Sequence, residues 1–379
     1  MNIFSFFSGA GFLDLGFETT PGWNVVYVSE YHKPFNDIYQ YSRARMMLPQ
    51  PLYGHHIEDI TTLLDDDNKK RLQRLVSESK ANAITGFIGG PPCPDFSVAG
   101  SNRGKDGDNG KLSGTYIDLI CELKPDFFVF ENVKGLYKTK RHREFFDYLK
   151  DRLKETGYSL TEQLINALEF GAPQDRERII LIGVYKSIIK KRKLPHHSGE
   201  LLAFPWNKYK KYTMDEVMGC QWPDRSPYVQ GVMAPCPSGI IEDLTVQYWW
   251  NKNDVANHPN RNMYFTPKAG LLRFQSKDEG DVEKKCYKRL HRYRYSPTAA
   301  YGNNEVHIHP YLPRRISVAE ALAIQSLPSS FEIPIDVSLT DAFKTIGNGV
   351  PYLAAKGIAQ SLIDYLGGSK DETHHDSSN

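Results

Sequence analysis

The chain has 379 residues, of which 40% are hydrophobic and 24% are charged, and its formal net charge is +2. This is the composition of a globular protein with a sizeable core, and it excludes a disordered or fibrous chain. No apolar run reaches the ~20 residues needed to cross a bilayer, so we expect a cytoplasmic protein with no membrane partner. The five cysteines are scattered without a Cys-x-x-Cys pair, which argues against disulfides and against a metal site.

Apolar runs typical of strands alternate with helical patterns over the first 185 residues. They predict strands over residues 3–7, 24–29, 83–88, 127–131, 160–166 and 178–185, and a helix over 142–155 that ends before Gly157. This alternation is typical of an α/β fold with a parallel sheet flanked by helices.

The residue composition and periodicity change after residue 185. Residues 186–313 contain basic clusters and many Pro, Tyr and Trp residues without a steady period, so we expect an inserted smaller domain. Helical order returns at ISVAEALAIQSLP, where Ser317 and Glu320 have capping-box spacing. Residues 367–379 have the composition of a disordered tail.

Three motifs follow successive predicted strands. FFSGAGFLDLGFE (residues 6–18) reads as a strand, a glycine-rich turn and a helix, which lets a nucleotide-like ligand approach the backbone, although an ordinary tight turn has the same pattern. Glu30 could accept ribose hydroxyls with Tyr31 packed on a base, while a solvent-facing Glu is the simpler interpretation of that residue alone. Asp59 could accept an amino group. Together the three motifs indicate a ligand lying across the carboxyl edge of a parallel sheet.

A cysteine in GGPPCPDFS (residues 89–97) follows the strand predicted over 83–88. Cys93 lies between Pro92 and Pro94, which fix the backbone and so direct the thiol. We interpret Cys93 as a nucleophile, the alternative being an inert thiol.

Charged residues come next at the same edge. FFVFENV (residues 127–133) ends a buried strand with Glu131, and burial would raise the pKa of this carboxyl and suit it to donate a proton. In QDRERI (residues 174–179), Arg176 and Arg178 alternate on one face, either as surface charge or as a clamp for an anion.

Six motifs in order resemble those of the cytosine-5 DNA methyltransferases: FSGAGFLDLGFE, GGPPCPDFS, ENV, QDRERI, RRISVAEALAIQSLP and IGNGVP. The resemblance extends from residue 4 to about residue 351. It implies a Rossmann-like α/β sheet that binds S-adenosylmethionine (residues 1–185), an inserted target-recognition domain (186–313) and a return segment (314–366) that completes the catalytic domain.

The resemblance also implies residue roles. The Cys93 thiolate would add to carbon 6 of cytosine, Glu131 would protonate ring nitrogen 3, Arg178 would hold the base oxygen and Glu131, and Arg176 would order the covalent intermediate. Glu30 would hold the ribose and Asp59 the adenine amino group. The cofactor contacts implied in this way are Phe7, Ser8, Gly9, Ala10, Gly11, Glu30, Tyr31, Asp59, Ile60, Pro92, Leu112 and Asn348.

A stacked cytosine must be flipped out of double-stranded DNA before it can react, and the family uses a mobile loop after the cysteine for this, here residues 97–111. We expect DNA contacts from Ser97 and Arg103 in that loop, from Arg292 and Arg294 in the insert, and from Thr298 beside the flipped base. Three positions depart from the common family pattern: Phe12, Pro94 and Asn109.

Three alternative functions have different sequence signatures. Methyltransferases that act on amino groups use an Asp/Asn-Pro-Pro-aromatic loop, but here Cys93 stands at the aromatic position. The branch that methylates transfer RNA carries a Cys-Phe-Thr signature that the sequence does not contain. A binding module without catalysis would be expected to lack Cys93 or Glu131.

We therefore expect a monomeric bacterial or phage enzyme that protects DNA as the modification half of a restriction–modification pair. The cognate restriction endonuclease would act on the same DNA site and need not bind the methyltransferase.

Overall fold

The computed structural model describes residues 1–92, 108–138, 140–232, 234–267, 271–302 and 305–367. The strands found in these residues are β1 (Asn2–Phe6), β2 (Asn24–Ser29), β3 (His55–His56), β4 (Thr85–Gly89), β5 (Phe127–Val133), β6 (Tyr158–Asn166), β7 (Glu177–Tyr185), β8 (His196–His197) and β9 (Glu200–Leu201). They form one sheet in the order β3-β2-β1-β4-β5-β7-β6-β9-β8.

The helices of the described residues are α1 (Phe12–Glu18), α2 (Lys33–Arg45), α3 (Asp66–Asn82), α4 (Asp108–Leu123), α5 (Gly135–Lys138), α6 (Lys140–Thr156), α7 (Lys186–Arg192), α8 (Met214–Gly219), α9 (Val246–Lys252), α10 (Leu271–Gln275), α11 (Val318–Ile324), α12 (Leu339–Asn348) and α13 (Tyr352–Tyr365). Within the described ranges, none of them has the length and apolarity that crossing a membrane requires. The capping box predicted at Ser317 and Glu320 begins α11.

The central strands β2, β1, β4 and β5 pair in parallel, so their carboxyl ends meet at one edge of the sheet. In the register, Phe6 lies beside both Ser29 and Gly89, and Gly89 lies beside Phe130. The segments that follow these strands therefore leave the sheet side by side. The mixed α/β fold expected from the sequence is confirmed.

One strand departs from the parallel sheet that was expected. β7 runs antiparallel to both of its neighbours, β5 and β6. The connection between β6 and β7, residues 167–176, is too short for the crossover that parallel neighbours need, so the chain turns back beside β6. As a result the beginning of β7, rather than its end, lies at the carboxyl edge of β5, where Val133 is opposite Arg178.

Helices cover both faces of the sheet. One core joins α1 and α13 to β1, β2 and β7, and a second joins α3, α4 and α6 to the opposite face. A third core contains residues of α1, α2, α9, α11 and α12, so it packs the predicted insert and the return segment against the first helix.

The predicted boundary at residue 186 falls inside the sheet layer. β9 pairs with β6, and Leu194, Leu201 and Phe204 belong to the same core as α13. Basic residues interrupt the apolar residues of this stretch in the sequence, so no packing on the sheet was predicted there. In the structure the apolar residues are buried against the sheet. Leu194, Leu201 and Phe204 therefore pack with the sheet layer, and the boundary of the recognition domain stays a prediction.

Gly16 provides a test of how closely α1 and α13 pack. A Cβ at Gly16 would lie 2.5 Å from the backbone carbon of Ala355 and 2.6 Å from the backbone nitrogen of Lys356. Because neither backbone atom can move alone, we expect Gly16→Ala to lower the free energy of unfolding by about 1–3 kcal/mol.

The measurement is urea unfolding, with Gly219→Ala as the control because a Cβ there meets nothing within 4 Å. The control should change stability by less than about 0.5 kcal/mol. Equal stability of Gly16→Ala and wild type would contradict the close packing described here.

Candidate active site

A cavity of about 1290 Å³ opens at the carboxyl edge of the parallel strands. Its walls come from the segments that follow β1, β2, β4 and β5 and from the beginning of β7. Residues 298–302, Glu305 and residues within 344–350 complete them. All of the predicted cofactor residues except Gly11 line it: Phe7, Ser8, Gly9, Ala10, Glu30, Tyr31, Asp59, Ile60, Pro92, Leu112 and Asn348. Segments distant in sequence thus converge on one concave surface, where ligands of open α/β sheets usually bind.

The glycine loop, residues 7–11, has an unusual backbone. Phe7, Gly9 and Gly11 have left-handed φ values of 53°, 55° and 75°. This conformation is accessible to glycine but is strained at Phe7, so the loop depends on surrounding contacts. The Ser8 N–H donates to the carbonyl of Ser29 at 3.2 Å.

Glu30 holds the loop from the end of β2. Its carboxylate accepts the N–H of Gly9 and the N–H of His32, both at 2.8 Å. Burial raises the pKa of Glu30, and the two backbone N–H groups oppose that shift. Beside it, Tyr31 is 71% exposed and presents its ring at the cavity wall.

Asp59 and Ile60 form another wall after β3. Asp59 Oδ1 accepts the N–H and the hydroxyl of Thr61 at 2.9 and 2.8 Å, which fixes the carboxylate at the start of a short 3-10 turn. Ile60 is buried and supplies an apolar surface. The neighbouring Glu58 is instead bound to Arg71 at 2.6 Å and to the hydroxyl of Tyr27.

Two polar atoms fit the predicted cofactor. Ser8 Oγ and Asn132 Nδ2 are buried without a hydrogen-bond partner among the described residues, and both residues line the cavity. Buried polar groups are nearly always paired, so these two atoms indicate a polar ligand. The hydroxyl of Ser8, the amide of Asn132 and the carboxylates of Glu30 and Asp59 lie in a cavity with apolar walls. This set of groups matches the amino acid, ribose and adenine parts of S-adenosylmethionine.

Glu131 lies at the other side of the cavity, at the end of β5, and is 7% exposed. Arg178 Nε lies 2.7 Å from Glu131 Oε1 as an ion pair. A Cβ at Gly90 would lie 2.5 Å from Glu131 Oε2, so only glycine leaves room for the carboxyl there. Burial raises the pKa of Glu131, and the positive charges of Arg178 and Arg176 oppose this shift.

Arg176 is buried and connects three segments. It donates to the carbonyl of Ala299 at 2.8 Å and to the carbonyl of Gly347 at 2.7 Å. Burial and the neighbouring Arg178 lower the pKa of Arg176, while Glu131 acts in the opposite direction. The guanidinium borders the cavity and also fixes its two distant walls.

The predicted insert reaches the cavity through residues 296–302. Ser296 forms a parallel bridge with Gln174, and the hydroxyl of Thr298 donates to the carbonyl of Asp175 at 2.6 Å. Thr298 is exposed and lines the cavity, and its position beside a flipped base stays a prediction.

The two arginines predicted to contact DNA, Arg292 and Arg294, differ in burial and in pairing. Arg292 is 5% exposed and makes a double ion pair with Glu279, with Nε–Oε1 and Nη2–Oε2 both 2.8 Å. Its charge is thus paired in the interior, which does not favour a phosphate contact, and the DNA contact of Arg292 stays a prediction. Arg294 is partly exposed, with its guanidinium 5.3 Å from the Tyr295 ring, and its DNA contact stays a prediction.

Three predicted site residues lie outside the described part of the chain: Cys93, Ser97 and Arg103. The same holds for Pro94, for most of the predicted loop 97–111, for the side chain of Asn109 and for residues 368–379 of the predicted tail. The described chain reaches Pro92 at the cavity wall, one residue before Cys93.

Other cavity residues were not assigned from the sequence. Asn132 directly follows Glu131, and Tyr301 lies three residues after Thr298, so both are near predicted site residues but have no pattern of their own. The hydroxyl of Tyr301 is buried without a hydrogen-bond partner in the described ranges. Thr345 Oγ1 would lie 3.7 Å from a Cβ at Gly9, a contact between α12 and the glycine loop that no local pattern reveals.

The chain has the fold of the S-adenosylmethionine-dependent methyltransferases. A prophage-encoded protein of E. coli, described as a DNA modification methyltransferase, is similar with a TM-score of 0.64 at 22% identity, covering 97% of this chain and 99% of that one. Dnmt2 of S. pombe gives 0.58 at 14% identity, covering 97% and 98%. At these identities the similarity establishes the fold.

The sequence matches the family described as C-5 cytosine-specific DNA methylase over residues 1–364. It is 56% identical over 375 residues to Type II methyltransferase M.NmeDI of Neisseria meningitidis serogroup C, covering 99% of this chain and 86% of that protein. Type II methyltransferase M.MthTI of Methanothermobacter thermautotrophicus is 30% identical over 379 residues, covering 97% and 98%. The chain belongs to the C-5 cytosine-specific DNA methylase family, which confirms the resemblance and makes it a DNA (cytosine-5)-methyltransferase that uses S-adenosylmethionine.

Arg292 and Arg294 give a matched pair of substitutions. We expect Arg294→Gln to weaken DNA binding and to reduce the slope of log affinity against log salt by about 0.9, because one phosphate contact is lost. Arg292→Gln should leave Glu279 buried without its partner and lower the free energy of unfolding by about 3–5 kcal/mol.

Fluorescence anisotropy over a salt series and urea unfolding, applied to both variants, separate the two effects. A salt slope that falls in Arg292→Gln but not in Arg294→Gln would reverse the assignment.

Proposed function

We propose that this methyltransferase flips a cytosine out of double-stranded DNA into the cavity and attacks its carbon 6 with Cys93. The observation that carries the proposal is the buried Glu131, confined by Gly90 and paired with Arg178 at the edge where GGPPC begins. A carboxyl whose pKa is raised by burial is suited to protonate a ring nitrogen.

The cofactor would occupy the part of the cavity between the glycine loop and Asp59. Glu30 would bind the ribose hydroxyls, Asp59 the adenine amino group, and Tyr31 and Ile60 the two faces of adenine. Ser8 and Asn132 would bind the amino acid part through their buried polar atoms. When bound, S-adenosylmethionine supplies the electrophilic methyl group.

The residues at the Glu131 side would perform the remaining chemistry. The thiolate of Cys93 forms a bond to carbon 6 while Glu131 gives its proton to nitrogen 3, which makes carbon 5 nucleophilic. Carbon 5 would take the methyl group with S-adenosylhomocysteine as the leaving group, and its proton would pass to water. The bond between sulfur and carbon 6 then breaks to restore the thiolate, and nitrogen 3 returns its proton to Glu131. Arg178 would hold Glu131 and the base oxygen in place, and Arg176 would keep the neighbouring walls fixed.

The recognition domain would select the DNA sequence, with Arg294 and Thr298 on phosphates and Ser97 and Arg103 on the closing loop. The similar proteins M.NmeDI and M.MthTI are named Type II methyltransferases, which supports a role as the modification enzyme of a restriction–modification system, acting on the DNA of the cytoplasm. The protein would act as a monomer. A restriction endonuclease of the same specificity would need no contact with it.

The covalent step can be tested with DNA that carries 5-fluorocytosine at the target. Fluorine cannot leave as a proton does, so the adduct should remain attached and migrate as a protein–DNA species under denaturing conditions. It should require S-adenosylmethionine and should disappear in Cys93→Ser, because a hydroxyl is far less ionised than a thiol near neutral pH.

Cys121→Ser is the matched control. Cys121 lies in α4 with its thiol directed at the carbonyl of Arg152, and burial raises its pKa, so the adduct should form normally in this variant. Mass spectrometry that locates the DNA on any cysteine other than Cys93 would refute the mechanism, as would full activity without an adduct.

The pH dependence of methylation tests the proton donor. Only the protonated form of Glu131 can donate, so the single-turnover rate should fall as the pH rises through its pKa. Arg178→Gln removes the positive charge that most strongly favours the ionised carboxylate, so the pKa should rise further and the decline should move to higher pH.

The midpoint of the decline is compared rather than the absolute rate, since Arg178 is also proposed to hold the base. Arg152→Gln, which removes a cation bound to Asp118 at 2.6 Å on α4, should leave the midpoint unchanged. A midpoint that moves to lower pH in Arg178→Gln would exclude Glu131 as the donor.

A further inference from the structure

A buried group of polar side chains lies beneath the glycine loop and has no part in the chemistry proposed above. The side chains of Arg43 and Glu18 are 1% and 9% exposed. The members of this group are Ser5, Asp14, Glu18, Tyr39 and Arg43. Buried charges are expensive unless they are paired, so such a group requires an explanation.

The guanidinium of Arg43 contacts the loop directly. Its Nη1 donates to the carbonyl of Ala10 at 3.3 Å and its Nη2 donates to the carbonyl of Gly11 at 2.5 Å. Its other side binds Glu18 Oε2, from Nε at 2.9 Å and from Nη2 at 2.7 Å. The flat guanidinium therefore joins a carboxylate of α1 to two carbonyls of the loop that precedes it.

The position of this guanidinium is itself fixed. It stacks 4.1 Å from the centre of the Tyr39 ring, and the Tyr39 hydroxyl donates to Asp14 at 3.0 Å. A Cβ at Gly11 would lie 2.3 Å from the Tyr39 ring and 2.6 Å from Arg43 Nη2. Gly11 is thus required by the close approach of these two side chains as well as by its left-handed backbone.

The two halves of the loop are held in different ways. Ser29 and Glu30 bind the N–H groups of Ser8 and Gly9 from the sheet. The carbonyls of Ala10 and Gly11 are held by Arg43. Since the strained backbone needs contacts on both halves, losing the second set would let the turn relax away from its present shape.

Arg43 is also the cation that balances the buried acids. Burial, and then the negative charge of Glu18, raise the pKa of Asp14 to about 7, while Arg43 acts in the opposite direction. Removal of the positive charge would therefore disturb the interior as well as the loop. A useful test must keep that charge and change only the number and direction of its donors.

On the basis of the cofactor site proposed above, we propose that Arg43 is a positioning residue for S-adenosylmethionine. It holds the carbonyls of Ala10 and Gly11 so that the loop keeps the shape that the cofactor binds. Arg43 does not line the cavity, so it acts through the loop rather than by touching the ligand.

The test is Arg43→Lys. An ammonium can still pair with Glu18, but it is a compact charge without the planar fork that reaches both carbonyls at once. We expect the dissociation constant for S-adenosylmethionine, measured by calorimetry without DNA, to rise at least fivefold. The KM for DNA and kcat at saturating cofactor should stay within twofold of wild type, a division that a general loss of stability would not produce.

Arg45→Lys is the matched control. Arg45 lies two residues further along α2 and makes a comparable double contact with Glu332, at 2.9 and 3.0 Å, away from the loop. It should bind cofactor as wild type does. Normal cofactor affinity in Arg43→Lys, or equal weakening in Arg45→Lys, would overturn the proposal.

Glu30→Ala, measured in parallel, separates this proposal from the site on which it depends. Weak binding in Glu30→Ala with normal binding in Arg43→Lys would leave the cofactor site standing and remove only the role of Arg43. Normal binding in Glu30→Ala would refute the site and with it the role of Arg43. If Arg43→Lys does not fold, Tyr39→Leu is measured in the same way, because it keeps the charge of Arg43 and removes the ring on which the guanidinium stacks. Normal cofactor affinity in that variant would then overturn the proposal.

Discussion

The guanidinium of Arg176 is the contact on which the site depends most. From the short connection before β7 it reaches the carbonyl of Ala299 in the predicted insert and the carbonyl of Gly347 at the end of α12. A buried amide relay follows the same path: Gln174 accepts the N–H of Ala299 and donates to Gln325, whose amide donates to the carbonyl of Ile346. These bonds turn three separate segments into one wall.

The two sides of the cavity are therefore held in place by different interactions. The cofactor side is formed by segments that leave neighbouring parallel strands, so its geometry follows from the sheet. The Glu131 side is closed by β7 and by residues brought from the insert and the return segment, so it depends on buried polar bonds. The antiparallel direction of β7 is essential here, because it delivers Arg176 and Arg178 to the same edge as Glu131.

Electrostatics gives these polar groups their separate functions. Glu131 is buried near two arginines whose charges counteract the effect of burial on its pKa. Arg178 is paired with Glu131, Arg176 donates to carbonyls, and Arg292, which does not line the cavity, is paired with Glu279. Arginines that look alike in sequence thus pair with the carboxyl proposed as the proton donor, join separate segments and neutralise an acid inside the predicted insert.

The sequence by itself determined the alternation of strands and helices and the order of the motifs, because strand periodicity and glycine-rich turns are local properties. The bounds of β2 agree with the prediction, and the glycine loop, Glu30, Asp59 and Glu131 converge because parallel strands place their carboxyl ends at one edge. The structure decided what depends on contacts between distant residues. It reversed β7, packed Leu201 and Phe204 into the core of the sheet and buried Arg292, since pairing direction and burial are fixed only when the whole chain packs. It also brought Arg43 of α2 beneath the loop that follows β1, a contact across 32 residues that no local pattern encodes.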